Sequence, residues 1–414
     1  MFFRYIDFYY LFFRLFIYCL LFLFTGFTFD PIGLSLVHSA STRLLSSIFG
    51  IFGLSFLVML YNTLFVRALL CRKYGSYTLT LMATLAIGSG LFFYHKEQKQ
   101  LFDKEHTPFK ILVVHTKTLP EELEVSKDLI NDAFHRWLSL LKTCLINTQK
   151  QTDLILFPEI VVPFSSKAPL FQNPEMQQKL HSLFPGNEPL TSSHAIGKAL
   201  AKKLQTPLLI GLEAKEENHY FNSAYFIQPD GRTKRYDKRV LLPMGEYIPC
   251  EWARTLAARY GLVGSFERGS QSQFFPLEGS FIYPSICYED TFPLEHSDIK
   301  KIALLVNLTN DGWYPNSALG EVHSKLSSVR SLESGRPMVR SSNYGFSGVI
   351  NSLGQSHFLN DAQIDGDIDA RTLSVSKYTY TTLYAIWGNI PLLLFIVCSI
   401  LFQKEKIIWP FNQH

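Results

Sequence analysis

Apolar positions are spread unevenly along this chain. Three stretches carry no charged residue: 44–66 (LLSSIFGIFGLSFLVMLYNTLFV), 77–94 (YTLTLMATLAIGSGLFFY) and 384–402 (YAIWGNIPLLLFIVCSILF). A bilayer core of ~30 Å is crossed by about 20 helical residues, so each predicts a membrane-spanning helix. Residues 2–24 are as apolar but include Arg4, Asp7 and Arg14, whose heads would snorkel to the interface or face neighbouring helices. A buried helix of a soluble protein is the alternative for any one stretch. Four of them, clustered at the two chain ends, argue for a membrane. A cleaved signal peptide would account for the first alone.

Between these ends the pattern changes. A polar stretch, 95–109 (HKEQKQLFDKEHTPF), leads into short β-runs at 110–115, 153–159, 207–213, 222–228, 281–289, 302–310, 337–342 and 346–351. Several are continuously apolar, as strands covered on both faces are. Helical spacing of apolar residues marks 128–147, and 193–204 precedes the strand at 207. Residues 320–334 read as a helix ended by Gly335 and Pro337. Strands alternating with helices predict an α/β layered domain. The expected division is membrane helices at 1–94, a linker at 95–109, an extramembrane domain at 110–380, and a last span with its tail at 381–414. The segment 160–190, apolar and proline-containing, is a candidate lid or membrane-dipping arm, against an ordinary loop–helix connection.

Charge then sets orientation. Arg67, Arg72 and Lys73 lie between the second and third spans, and Lys404 and Lys406 lie in the tail. Positive loops favour the cytoplasmic side. Four spans then place both termini inside and the large domain outside, in the periplasm if the cell is bacterial. The net charge is only +4 over 414 residues with no long basic block, so nucleic acid is not an expected partner. The six cysteines stand far apart without a CxxC; Cys144 and Cys250 could pair in an oxidising space. HExxH, GxSxG, GxxxxGK[ST] and GxGxxG are missing and the histidines lack zinc spacing, so no metal or cofactor is called for. Only His323 lies near the residues singled out next, and there a structural role is the better reading.

Three polar residues sit at strand ends: Glu159 after DLILFP, Lys238 in RYDKRVLLPMGEYIP, and Cys287 in PSICYED. Singly each has an ordinary reading: a rim carboxylate, a solvated lysine, a small buried thiol. Together they suit acyl transfer through a thioester. A thiol needs a base to become a nucleophile. Glu159 can serve if burial raises its pKa. Lys238 can offset the acids beside Cys287 and bind the oxyanion of a tetrahedral intermediate. Glu246 and Glu289 could hold Lys238 or Glu159 by hydrogen bonds.

These segments, in this order, resemble the nitrilase (carbon–nitrogen hydrolase) superfamily, whose Glu, Lys and Cys map onto Glu159, Lys238 and Cys287. More narrowly, YDKRVLLPMGEYIP, ERGSQSQFF, ICYED, NLTNDGWYPNS, the run 323–355, TLYAIWGNIP and the apolar stretch 24–62 are similar to the apolipoprotein N-acyltransferase family. The resemblance implies a nitrilase-like α-β-β-α sandwich carried on transmembrane helices, about three N-terminal and one C-terminal. It also implies a two-step reaction in the bacterial inner membrane with the catalytic domain in the periplasm. The acyl donor is a phospholipid, the acceptor a diacylglyceryl apolipoprotein, and no cofactor is used. In that set Glu159 is the base, Lys238 the oxyanion stabiliser and Cys287 the nucleophile. Glu246, Tyr288 and Glu289 are supporting residues, with the Tyr288 backbone N–H a second oxyanion donor. The family usually has more spans than the four counted here, and a tryptophan after its first domain strand that 116–128 lacks; Trp137 comes late to replace it. A membrane-tethered amidase with the same triad, or an inactive relative, is the alternative reading.

Overall fold

A computed structural model describes residues 28, 31–72, 74–105, 107–117, 128–243, 245–248, 266–294, 299–313, 315, 317–359, 366–394 and 397. The apolar stretch 2–24 lies outside them. Among the described residues two helices are long and apolar enough to cross a membrane: α1 (Ser46–Cys71) and α2 (Gly75–Phe102). The second runs on through the first half of the polar stretch 95–109. The C-terminal stretch is interrupted: α7 (Leu383–Trp387) ends at Gly388 and helix resumes at residue 390. A span starting at residue 384 is therefore broken near its beginning, and its continuation is only partly among the described residues.

The domain between is built on twelve strands: β1 (Pro108–Thr116), β2 (Leu154–Leu156), β3 (Leu208–Glu216), β4 (His219–Ile227), β5 (Thr233–Asp237), β6 (Phe275–Leu277), β7 (Ser280–Ile286), β8 (Ile302–Asn310), β9 (Met338–Asn343), β10 (Ser347–Ile350), β11 (Ser356–Leu359) and β12 (Ile368–Ser376). They form two halves. One runs β5-β4-β3-β2-β1 with β12 against β1; the other runs β6-β7-β8-β9 with β10 and β11 beyond β9. A single pairing, Thr116 with Asn343, joins them. The parallel core of each half, β1-β2-β3 and β7-β8-β9, matches the continuously apolar runs.

Alternation along β1 shows the layering. Ile111 and Val113 face the second half and pack with Ile286, Leu304, Val306 and Leu308. Leu112 and Val114 face outward, onto Phe134, Trp137, Leu140 and Leu141 of α3 (Leu129–Asn147) and onto α5 (Ser193–Leu204). Both helices begin at side-chain caps, Asp128 and Ser192. The outer layer of the second half is α6 (Leu319–Ser334), ended by Gly335 at φ 64°. The result is the α-β-β-α sandwich expected. Trp137 belongs to its outer core, its Nε1 donating to Ser193 Oγ at 2.9 Å.

The segment 160–190 is not a lid. Val161, Val162, Phe171, Phe184, Leu190 and Leu180 of α4 (Pro174–Leu183) are buried in the α3–α5 core. Its apolar residues are taken up by packing, so it is a loop–helix connection. Cys144 is a free, buried thiol in the same layer, pushed up to about 12 by burial. Cys250 lies outside the described residues.

α6 is buried on two sides, between the second half and α1. Leu326 and Val329 pack against Leu34, Val37, Leu45, Ile51 and Leu54. Opposite this contact α1 breaks at Gly50 (φ 63°). The Tyr384 ring fills the place a Cβ would take, 2.3 Å from its Cε2, so only glycine fits. The Ile51 N–H at the break donates instead to Glu333 Oε1 of α6 at 2.8 Å, and Trp387 Nε1 donates to the Ile48 carbonyl at 2.7 Å. The apolar N-terminal part is thus fastened to the helix whose other end reaches Cys287.

Candidate active site

Three strand ends meet at one edge of the sandwich. After β2 the chain turns at Pro158–Ile160, with Ile160 at φ 38°. The turn lies flat on Gly211 of β3, where a Cβ would come within 2.4 Å of the Pro158 carbonyl and 2.6 Å of Glu159 Cα. Gly211 therefore allows the approach that sets Glu159 in the interior. The Asn343 side chain donates to the Glu159 carbonyl.

The Glu159 carboxylate is buried. Its Oε1 accepts from Lys238 Nζ at 3.2 Å and from Asn222 Nδ2 at 2.6 Å. Its Oε2 is buried with no hydrogen-bond partner among the described residues. Burial pushes its pKa up, against the pull of the Lys238 charge. Lys238, directly after β5, is 1% exposed and also donates to Glu246 Oε1 at 2.8 Å. Burial alone would depress the ammonium; the negative charges of Glu159 and Glu246 outweigh it and hold Lys238 well above the usual lysine range. Glu246 is anchored by accepting from the Leu242 N–H at 2.7 Å. Asn222 of β4 joins the two acids, its Nδ2 also donating to Glu246 Oε1 at 2.9 Å.

Cys287 sits where β7 passes into a short 3-10 turn, Cys287–Thr291. The strand expected over 281–289 therefore stops at Ile286. Cys287 has φ 48°, a left-handed conformation costing a residue with a Cβ about 1–2 kcal/mol. Two donors hold its carbonyl: Asn307 Nδ2 and His323 Nε2, each at 3.2 Å. Burial first, and Glu159 second, push the thiol above the usual cysteine range; Lys238 and a hydrogen bond with Thr309 oppose them. Cys287 lines a small pocket with Leu242, Asn310, Asp311, Trp313, Leu319 and Gly320, and Trp313 is exposed.

The predicted supporting residues divide. Glu246 does hold Lys238. Glu289 does not: it makes no hydrogen bond to Lys238 or Glu159 among the described residues. Its Oε1 accepts from the Arg239 N–H at 2.6 Å, the Val240 N–H at 3.1 Å and Tyr236 Oη at 2.8 Å, and its Oε2 from the Ile286 N–H at 2.8 Å. Glu289 thus ties the end of β7 to the chain that carries Lys238, and burial pushes its carboxyl up. Tyr288 is fully buried against Leu242. Its Oη accepts from the Thr28 N–H at 3.2 Å, and Thr28 also meets Thr291 through their hydroxyls, so residues before α1 touch the turn that follows Cys287.

Sequence reasoning passed over a second cluster behind Cys287. His323 Nε2 lies 2.6 Å from Asp290 Oδ1, and Nδ1 lies 2.7 Å from Asp311 Oδ1. Arg340 spans the same two acids, Nη1 to Asp290 Oδ2 at 2.9 Å and Nη2 to Asp311 Oδ2 at 3.2 Å. His323, Asp290 and Arg340 are at most 1% exposed.

Residues 129–387 match the carbon–nitrogen hydrolase family, the class that the α-β-β-α sandwich defines. An apolipoprotein N-acyltransferase of Chlamydia pneumoniae is 30% identical over 397 residues, which is 91% of this chain and 72% of that one. Those of Chlamydia muridarum and Chlamydia trachomatis are each 32% identical, covering 92% and 93% of this chain and 72% and 74% of theirs. The chain belongs to the carbon–nitrogen hydrolases and, among them, to the apolipoprotein N-acyltransferase family. With two apolar helices of spanning length, it is a membrane-associated enzyme.

Proposed function

We propose that this enzyme moves a fatty acyl chain from a membrane phospholipid to the α-amine of a diacylglyceryl apolipoprotein, with Cys287 as nucleophile, Glu159 as general base and Lys238 as oxyanion stabiliser. The observation that carries this reading is the convergence of a buried Glu159, pushed up by burial, and a buried charged Lys238 on a cysteine held in a strained turn. In the first step Glu159 takes the thiol proton as sulfur attacks the acyl ester carbonyl. The developing oxyanion is stabilised by the Lys238 ammonium, with the Tyr288 backbone N–H as a further donor. Collapse expels the glycerol oxygen, which Glu159 protonates, leaving a thioester and a lysophospholipid. In the second step the acceptor amine attacks the thioester, Glu159 takes its proton, and the thiolate leaves and is reprotonated. Glu246 keeps Lys238 charged and in place. No cofactor enters this scheme.

Both substrates are lipids, which gives a reason to tether the domain. The contacts of Thr28 with Tyr288 and Thr291, and of α1 with α6, support a site opening beside the membrane part. We read the location as the bacterial inner membrane with the domain on the periplasmic side, following the positive loops. The test is acyl-enzyme formation with labelled phosphatidylethanolamine. Wild type should carry a thioester-linked acyl chain and Cys287→Ala none; a thioester persisting in that variant overturns the assignment.

A further inference from the structure

We propose that His323, held as a cation between Asp290 and Asp311, is a positioning residue that sets the Cys287 backbone and the charge behind its sulfur. The proposal rests on the reading of Cys287 as the nucleophile. It starts from hydrogen-bond polarity. The close partners of the ring are Asp290 Oδ1, Asp311 Oδ1 and the Cys287 carbonyl, and all three accept. Both ring nitrogens must then donate, which only the imidazolium does. Arg340 Nη2 also comes within 3.4 Å of Nδ1, but the 2.7 Å contact to Asp311 is favourable only with a proton on that nitrogen. The charged groups facing the ring are Asp290 from the 3-10 turn, Asp311 from the end of β8 and Arg340 from β9. Ser327 of α6 completes the set, donating to Asp290 Oδ2 at 2.5 Å.

With His323 charged, two cations balance two acids and the cluster is neutral. Without that proton it carries one net negative charge, with Asp311 already acting against thiolate formation at Cys287. The same proton serves geometry. Cys287 keeps its left-handed backbone while its carbonyl has donors, and His323 is one of two. His323 stands one turn into α6, the helix that meets α1 at its far end. The ring is therefore fixed from the sheet side and from the membrane side.

The test uses the full-length protein with His323→Gln and Asp311→Asn. Two readouts are followed: alkylation of Cys287 by iodoacetamide, and acyl-enzyme formation from labelled phosphatidylethanolamine across pH. His323→Gln should slow both by roughly 10- to 100-fold with KM for phospholipid little changed. Wild-type acylation should decline as pH rises through about 9; His323→Gln should lose that limb and Asp311→Asn should move it to lower pH. Folded variants with wild-type rates and an unmoved limb overturn the proposal. Should His323→Gln not fold, Asp311→Asn decides by its limb alone. Should wild type form no acyl-enzyme, the functional reading fails, and the alkylation rates still decide the role of His323.

Discussion

Two buried charge clusters flank Cys287, and they are built to opposite rules. Behind it, Asp290, Asp311, His323 and Arg340 pair two acids with two cations. In front of it, Glu159 and Glu246 share one lysine and one amide nitrogen, and an oxygen of Glu159 and one of Asn222 have no partner among the described residues. The first cluster is electrically closed. The second has one acid more than it can neutralise, and burial first, with the Glu246 charge after it, pushes Glu159 up against the pull of Lys238. A closed cluster holds geometry; an open one has a proton to exchange. The contrast separates residues that carry out the chemistry from those that keep Cys287 in place for it.

The contrast should be sharpest at Glu159→Gln. The amide keeps the shape and removes the base, so acyl-enzyme formation should fall by roughly 100- to 10,000-fold. Thermal stability should be unchanged or slightly raised, because a poorly solvated acid is gone. Single-turnover acylation beside a melting curve checks both halves. Asp290→Ala should do the reverse in stability. It leaves His323 and Arg340 to share Asp311 alone, one buried positive charge in excess, and removing one partner of such a pair costs about 3–5 kcal/mol. Chemical denaturation of the detergent-solubilised enzyme would show the loss, and a wild-type midpoint would contradict the closed-cluster reading.

Legibility in the sequence follows the same division. Glu159, Lys238 and Cys287 stand out because each interrupts or follows an apolar run, and their order resembles a known family. The parallel strands were legible because they are buried on both faces. β5, β6, β11 and β12 were missed: two are three or four residues long, β5 is highly charged, and β12 is an edge strand with polar, half-exposed positions that β1 recruits by pairing. Asn222 reads as the polar position of an alternating strand, and only the β3–β4 hairpin brings it to Glu159. Glu289 was expected to hold Lys238 or Glu159, but it accepts instead from the Ile286, Arg239 and Val240 N–H groups. Arg340 did leave a signal, since an arginine in a strand buried at every position calls for buried acceptors to pair with it. Which acid, and that His323 joins them, depends on β8, β9 and α6 meeting in space.

Acidity offers a way to move the clusters in opposite directions. His323 is raised to about 9 from 6.5. A base raised on folding stabilises fully below its unfolded pKa, and the gain is lost as pH climbs through about 9. Asp290 is lowered below 3.8: burial opposes this, but His323 and Arg340 outweigh it. Its contribution is present above the unfolded value and is lost as pH falls through the lower folded one. Glu159 is an acid raised above 4.5, so its ionisation disfavours the fold at neutral pH and acidification relieves it. Stability measured across pH should therefore decline between 6.5 and about 9 by up to roughly 3 kcal/mol. His323→Gln should flatten that decline and Glu159→Gln should leave it intact. A decline that survives in His323→Gln would assign it to another group.

The smallest of these effects tests whether the open cluster depends on backbone placement as the closed one does. Gly211 has ordinary backbone torsions, so alanine there is opposed by space alone. Its Cβ would meet the Pro158 carbonyl at 2.4 Å, Glu159 Cα at 2.6 Å and the Ile160 nitrogen at 2.9 Å. These are backbone atoms and cannot swing away as a side chain does, so the Glu159 turn must lift off β3. Overpacking of this kind costs about 1–3 kcal/mol. The displaced turn would lengthen the Glu159–Lys238 contact, now 3.2 Å, and leave the His323 cluster on the other half of the sandwich untouched. Gly211→Ala should therefore slow acylation while keeping the alkaline decline in stability that His323 produces. If acylation stays at the wild-type rate, the position of Glu159 is set by Asn222 and Asn343 rather than by the glycine beneath it.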